Sequence, residues 1–134
     1  MATSKGEVDL LTVSESADAD LSTHKYKLVK QSATGVALCT TLNERAYGVL
    51  TNKPSAAGRT AQVQVVGVAK AMAGAAIAKG DFVKVDATAR LITQTGEAAG
   101  VQVFVFGQAL EAAGAAGDLI SVLIRPLVVN LAVS

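Results

Sequence analysis

Short runs along the chain alternate apolar and polar residues: Tyr26-Lys27-Leu28-Val29-Lys30, Gln62-Val63-Gln64-Val65 and, after Gly80-Asp81, Phe82-Val83-Lys84-Val85. A period of two sends successive side chains to opposite faces of an extended backbone, so each run predicts a short strand half-buried against a core. Further strands are expected at 35–38, 46–50, 90–93, 101–110 and 119–124, with Gly and Asn marking the turns between them. Two alanine-rich stretches, 69–79 and 110–116, are made of good helix formers. Gly74 interrupts the first and Gly114 and Gly117 frame the end of the second, at a cost of ~1 kcal/mol per interior glycine, so at most a short helical turn is expected in each.

Residues 1–25 are rich in Ser, Thr, Asp and Glu around one apolar island, Val8, Leu10, Leu11 and Val13. Such a composition has too little apolar surface to fold alone and predicts an extended N-terminal arm. Two outcomes are open for it: a tail without fixed structure, or an island that becomes a strand against a partner, since an extended segment can complete an exposed sheet edge. The chain therefore divides into an arm at 1–25, a β domain at 26–126 and a C-terminal extension at 127–134.

An internal echo runs through the β domain. Gly48-Val49-Leu50 leads through Ala56-Ala57-Gly58-Arg59 into Val63-Gln64-Val65, and Gly107-Gln108-Ala109-Leu110 leads through Ala115-Ala116-Gly117-Asp118 into Val122-Leu123-Ile124, with the same spacing between the two glycines of each copy. Ala76-Ile77-Ala78-Lys79-Gly80-Asp81 before Phe82 repeats the turn-to-strand portion. These are tight reversals, in which Gly accepts positive φ and Asp bonds nearby backbone amides.

A length of 134 residues suits one domain, since domains cluster at ~100–150 residues. Hydrophobic residues form 51% of the chain but aromatics only 4%, so Val, Leu, Ile and Ala must fill the core in thin layers with close backbones. The fold class expected is all-β: a small single-domain body, barrel-like or sandwich-like. Twelve Lys and Arg against eleven Asp and Glu leave a charge of +1, which argues against a broad basic face for nucleic acid. The single Cys39 cannot form an intrachain disulfide, and no segment has the apolar length of a secretion signal or of a membrane span, ~18 residues. Synthesis in the cytoplasm fits these features, and neither a nucleic acid nor a membrane is expected as a partner.

No reactive cluster can be assembled. His24 and Cys39 form the one Cys-His possibility, and Cys39 lies in a strand-like run where a free thiol acts as a small buried hydrophobe. Asp18-Ala19-Asp20 opens like a calcium loop but lacks the glycine and closing glutamate at the matching spacing. The run from Gly74 to Asp81 lacks the lysine order and the hydroxyl residue of a phosphate loop. Lys70 suggests a carrier lysine, yet its flanks do not match the biotin pattern, and a solvated lysine between strand and turn is the simpler account. No catalytic residue, cofactor or metal site is expected.

The order of features is similar to one known family. Tyr47-Gly48-Val49-Leu50-Thr51-Asn52-Lys53-Pro54, Val63-Gln64-Val65-Val66-Gly67-Val68-Ala69-Lys70, Ile77-Ala78-Lys79-Gly80-Asp81-Phe82-Val83, Gly107-Gln108-Ala109-Leu110-Glu111 and Ala116-Gly117-Asp118-Leu119-Ile120-Ser121-Val122 resemble the cement, or head decoration, proteins of tailed phages. The resemblance spans roughly residues 26–126. It implies a non-enzymatic virion protein that binds the major capsid protein on the outside of an assembled shell, commonly as a homotrimer, and stabilises it. A tail or head-fibre component is the alternative, and a carrier or enzyme a more distant one. On the cement reading Val8, Leu10, Leu11 and Val13 are the candidate capsid contacts of the arm. Leu127, Val128, Val129, Leu131 and Val133 run beyond the family's usual last strand and form either a further subunit or capsid contact or simply the last core strand.

Overall fold

The computed structural model describes residues 7–95 and 102–130. Nine strands follow one another: β1 (Val8–Ser16), β2 (Leu28–Gln31), β3 (Val36–Leu38), β4 (Gly48–Leu50), β5 (Thr60–Met72), β6 (Phe82–Val85), β7 (Leu91–Thr93), β8 (Gln102–Ala109) and β9 (Leu119–Asn130). They make one antiparallel sheet in the order β3-β2-β4-β5-β9-β8-β6-β7, with β1 on the remaining edge of β5. No described residue is helical. The protein is a small all-β domain whose sheet curls into half-barrels, as its alternating runs predict.

The sequence echo is a duplication in space. The first unit is β1 to β5, the second β5 to β9, and β5 serves both. Registers of the first unit recur in the second along each shared ladder: Ser16 opposite Thr60 becomes Met72 opposite Leu119, Val29 opposite Gly48 becomes Val83 opposite Gly107, and Leu50 opposite Val63 becomes Ala109 opposite Val122. Each unit curls until its outermost strand meets its first strand's end through a parallel bridge, Ala17 with Val36 and Ala73 with Leu91. The turns repeat as well: the Gly58 amide donates to the Ala17 carbonyl and the Gly117 amide to the Ala73 carbonyl, both at 2.8 Å.

Gly58, Gly80 and Gly117 all have φ near +90°, with open space where a Cβ would stand. The acidic residue that follows two of them caps its turn, Asp81 accepting from the Ala78 amide and Asp118 from those of Gly114 and Ala115. Alanine at any of the three glycines should cost only the left-handed backbone penalty, about 1–2 kcal/mol, read as a modest fall in denaturation midpoint.

Two apolar cores result. The first unit encloses Ala17, Leu21, Val29, Val36, Leu50 and Val63. Their equivalents Ala73, Ile77, Val83, Leu91, Ala109 and Val122 line the second, with Phe106 the largest fully buried side chain. The second core also takes Leu28, Cys39, Ala46 and Val49 from the back of the first unit's sheet. Strands β2 and β4 are therefore buried on both faces, Leu28 and Val49 towards one core and Val29 and Leu50 towards the other. Continuous apolar runs such as Leu28-Val29 and Val49-Leu50 are what two covered faces demand.

The largest departures from the sequence expectation each have a physical reason. The strand expected at 62–65 belongs to the thirteen-residue β5, where Ala69 and Ala71 face the second core; tertiary packing overrides the helix propensity of alanine there. The strand expected at 119–124 continues to Asn130, because β8 extends far enough to pair Gln102 with Asn130 and Val105 with Leu127. The apolar island of the arm finds an edge in its own chain, where β1 pairs with β5 from Val8 opposite Val68 to Ser16 opposite Thr60.

Candidate interaction surfaces

Strand β1 lies on the rim of the sheet: one edge pairs with β5, and the other carries no ladder among the described residues. Its apolar residues divide between two roles. Val13 packs against the first core, whereas Val8, Leu10 and Leu11 are 50%, 68% and 49% exposed. Leu10 pairs with no residue of β5, because the register shifts between Asp9 and Leu11. The start of the strand is nonetheless held in place. The Gln64 side-chain amide, itself buried, donates to the carbonyls of Val8 at 3.3 Å, Val66 at 3.3 Å and Val68 at 3.1 Å. A buried amide satisfied in this way fixes the geometry around it. Nothing in the sequence run Gln62-Val63-Gln64 distinguished this residue from an outward-facing strand glutamine.

At the other end of the chain, Leu127 is half-buried, Val128 is exposed, and Val129 pairs with Val103. Leu131 and Val133 lie outside the described residues. The two candidate contact segments thus belong to different strands, β1 and β9, which both pair with β5.

Phe104 of β8, opposite Val128, forms one wall of an open groove of about 590 Å³ with Lys30, Glu44, Arg45 and Tyr47 of the first unit. Glu44 organises that wall. One carboxylate oxygen accepts from Lys30 Nζ at 2.7 Å, and the other from the amides of Thr40 at 2.8 Å and Thr41 at 3.1 Å. Partial burial pushes the carboxyl up, but the Lys30 and amide hydrogen bonds outweigh it and hold the group below its ordinary value of 4.5. A carboxyl lowered by folding stabilises the fold above its unfolded value and loses that contribution as pH falls through the folded one. Glu44→Gln should therefore melt lower than the parent at neutral pH, and thermal melts well below pH 4.5 should bring the two together.

The residues weighed for chemistry are scattered. Cys39 is buried in the second core, and its thiol is pushed up to about 12, first by burial and then by the Glu44 charge, so it is no nucleophile at neutral pH. His24 sits with its Nδ1 3.1 Å from Lys27 Nζ; burial and that charge both lower its pKa. Lys70 stands on β5 opposite Ser121. Among the described residues no three His, Cys, Asp or Glu side chains are placed to share a metal ion.

Fold and surfaces together define an all-β protein with an exposed strand edge and exposed apolar side chains on its rim. The chain belongs to the phage cement protein family, whose model matches residues 5–126, and it is accordingly a structural protein of bacteriophage. Its backbone is similar to the N base of head fiber gp8.5 in bacteriophage phi29, with a TM-score of 0.62 at 19% identity, covering 86% of this chain and 93% of that one. That likeness is one of fold. No curated protein matches the chain in sequence.

Proposed function

We propose that the protein, made in the host cytoplasm, docks as a homotrimer on the outside of the assembled capsid, binds the major capsid protein and stabilises the shell. Membership of the cement family supplies the setting. The observation that carries the docking mode is β1, a nine-residue rim strand without Lys or Pro that keeps Val8, Leu10 and Leu11 in solvent. Strand edges of that length and polarity associate unless they are covered. An extended capsid segment pairing with the free edge of β1 would gain main-chain hydrogen bonds and cover these three side chains. Many copies acting on one shell turn modest single contacts into lasting attachment.

Co-sedimentation with undecorated, expanded capsids tests the proposal: the protein should pellet with them in saturable stoichiometry and raise the temperature at which they rupture. Failure to pellet, or pelleting without any gain in capsid stability, would overturn it. The likeness to the phi29 head-fiber base favours a second reading, a base that seats a fibre on the head. Under that reading the protein would be found on particles only with a fibre polypeptide attached.

A further inference from the structure

The duplication shows what covers the back of a unit. In the first unit, Thr12, Gln64, Val49 and Leu28 stand opposite one another across β1, β5, β4 and β2, so they share one face. Leu28 and Val49 are completely buried, because the second unit of the chain packs over that face. The same register in the second unit is the row Val68, Leu123, Gln108 and Phe82 across β5, β9, β8 and β6. Among the described residues no unit lies over it: Phe82, the counterpart of fully buried Leu28, is 44% exposed.

The uncovered row has kept an apolar character that solvent does not require. Val8 extends it on β1 opposite Val68, and Met72 and Leu119 form a further apolar pair on the same face, with Leu119 40% exposed. Lys70, between Val68 and Met72, and Lys84, two residues along β6 from Phe82 and itself buried, are the charges these strands bring to the face, and Gln108 and the buried Ser121 stand among its apolar positions. Exposed apolar side chains gathered on one sheet face mark a protein interaction site rather than ordinary surface.

We propose that this face, centred on Phe82, Leu123 and Leu119, is the contact between copies of the chain, covered in the assembly by a second copy as the matching face of the first unit is covered within the chain. The near-neutral net charge of +1 puts no electrostatic penalty on such self-association. The inference rests on the homotrimer reading and names its surface. In a closed trimer the contact passes head to tail around a ring, so this face meets a different patch of the neighbouring copy.

Sedimentation velocity of the full chain tests it. The parent should sediment as an oligomer, and Phe82→Asp with Leu119→Asp should shift it to monomer with the β circular dichroism unchanged. Leu42→Asp, at an exposed residue outside this face, should leave the oligomer intact. Phe82→Ser, which adds no charge, should weaken association at least tenfold and serves if the aspartates prevent folding. A parent that stays monomeric both free and on capsids, or a folded Phe82 variant with the parent's mass, would overturn the inference. Co-sedimentation with capsids keeps the two proposals apart: an oligomer that depends on Phe82 but never pellets defeats the capsid reading and leaves this one standing.

Discussion

Gly107→Ala is expected to cost more than about 4 kcal/mol, a loss of the size reserved for a short list of severe mechanisms. A Cβ there would stand 2.1 Å from the Leu123 carbonyl oxygen, which is backbone of the adjacent strand and cannot swing aside like a side chain. Relief would require β8 and β9 to part where they pair. Gly48 occupies the matching position in the first unit, sixteen residues before its own obstacle; its Cβ would lie 2.4 Å from the Gln64 carbonyl oxygen, so Gly48→Ala should behave alike. Domains of this kind hold only about 5–15 kcal/mol in total. Urea midpoints check the contrast: Gly107→Ala and Gly48→Ala should be largely unfolded or sharply destabilised, while Gly58→Ala, Gly80→Ala and Gly117→Ala keep a cooperative transition. Equal midpoints across all five variants would contradict the close backbone approach at Gly48 and Gly107.

The second large effect concerns attachment. Leu10→Asp with Leu11→Asp should reduce capsid binding by at least tenfold while the melting temperature stays within a few degrees of the parent's, because both side chains are already about half exposed or more. Val13→Asp is the contrasting variant. Val13 is half-buried and packs on the first core, so a carboxylate there loses part of its solvation along with the apolar contact and should destabilise the fold itself, by about 1–3 kcal/mol. Removing residues 2–20 would not isolate attachment from folding, since it deletes β1 together with Ala17, a buried part of the first core. Parent-level binding by the folded Leu10/Leu11 variant would show that β1 is not the docking edge.

Much of this architecture was legible in the residues. The runs at Tyr26 to Lys30 and Phe82 to Val85 marked β2 and β6, although β2 begins only at Leu28, after Tyr26 at a φ of 71°, and its Leu28 and Val29 face two cores rather than a core and solvent. The paired glycines at 48 and 58, and at 107 and 117, announced the duplication, since the close approach at the first of each pair leaves no room for a Cβ and the turn at the second needs a positive φ. The sharing of β5 was not legible. Its second half reads Val68-Ala69-Lys70-Ala71-Met72, where alanine's helix propensity hides a strand whose small residues face the second core. The docking of β1 on β5 was hidden for a related reason. Val8, Leu10, Leu11 and Val13 look alike in a list of hydrophobic residues, and only the register, with its shift around Leu10, sends Val13 inward and leaves the others in solvent.

Cys39 shows the limit in the other direction. A lone thiol in a strand-like run was expected to be a small buried hydrophobe, and it is one, but its place among residues of both units follows from how the back of one sheet fills the core of the next. No local pattern encodes that stacking. It emerges because Leu28-Val29 and Val49-Leu50 offer apolar side chains on both faces, which a single sheet facing water would not retain.

The account stands or falls on where the protein sits. Electron cryomicroscopy of expanded capsids with and without it should give added density on the outer surface, with β1 at the contact to the shell and the face around Phe82 turned towards a neighbouring copy. Density inside the shell, on the tail alone, or nowhere on the particle would contradict the account.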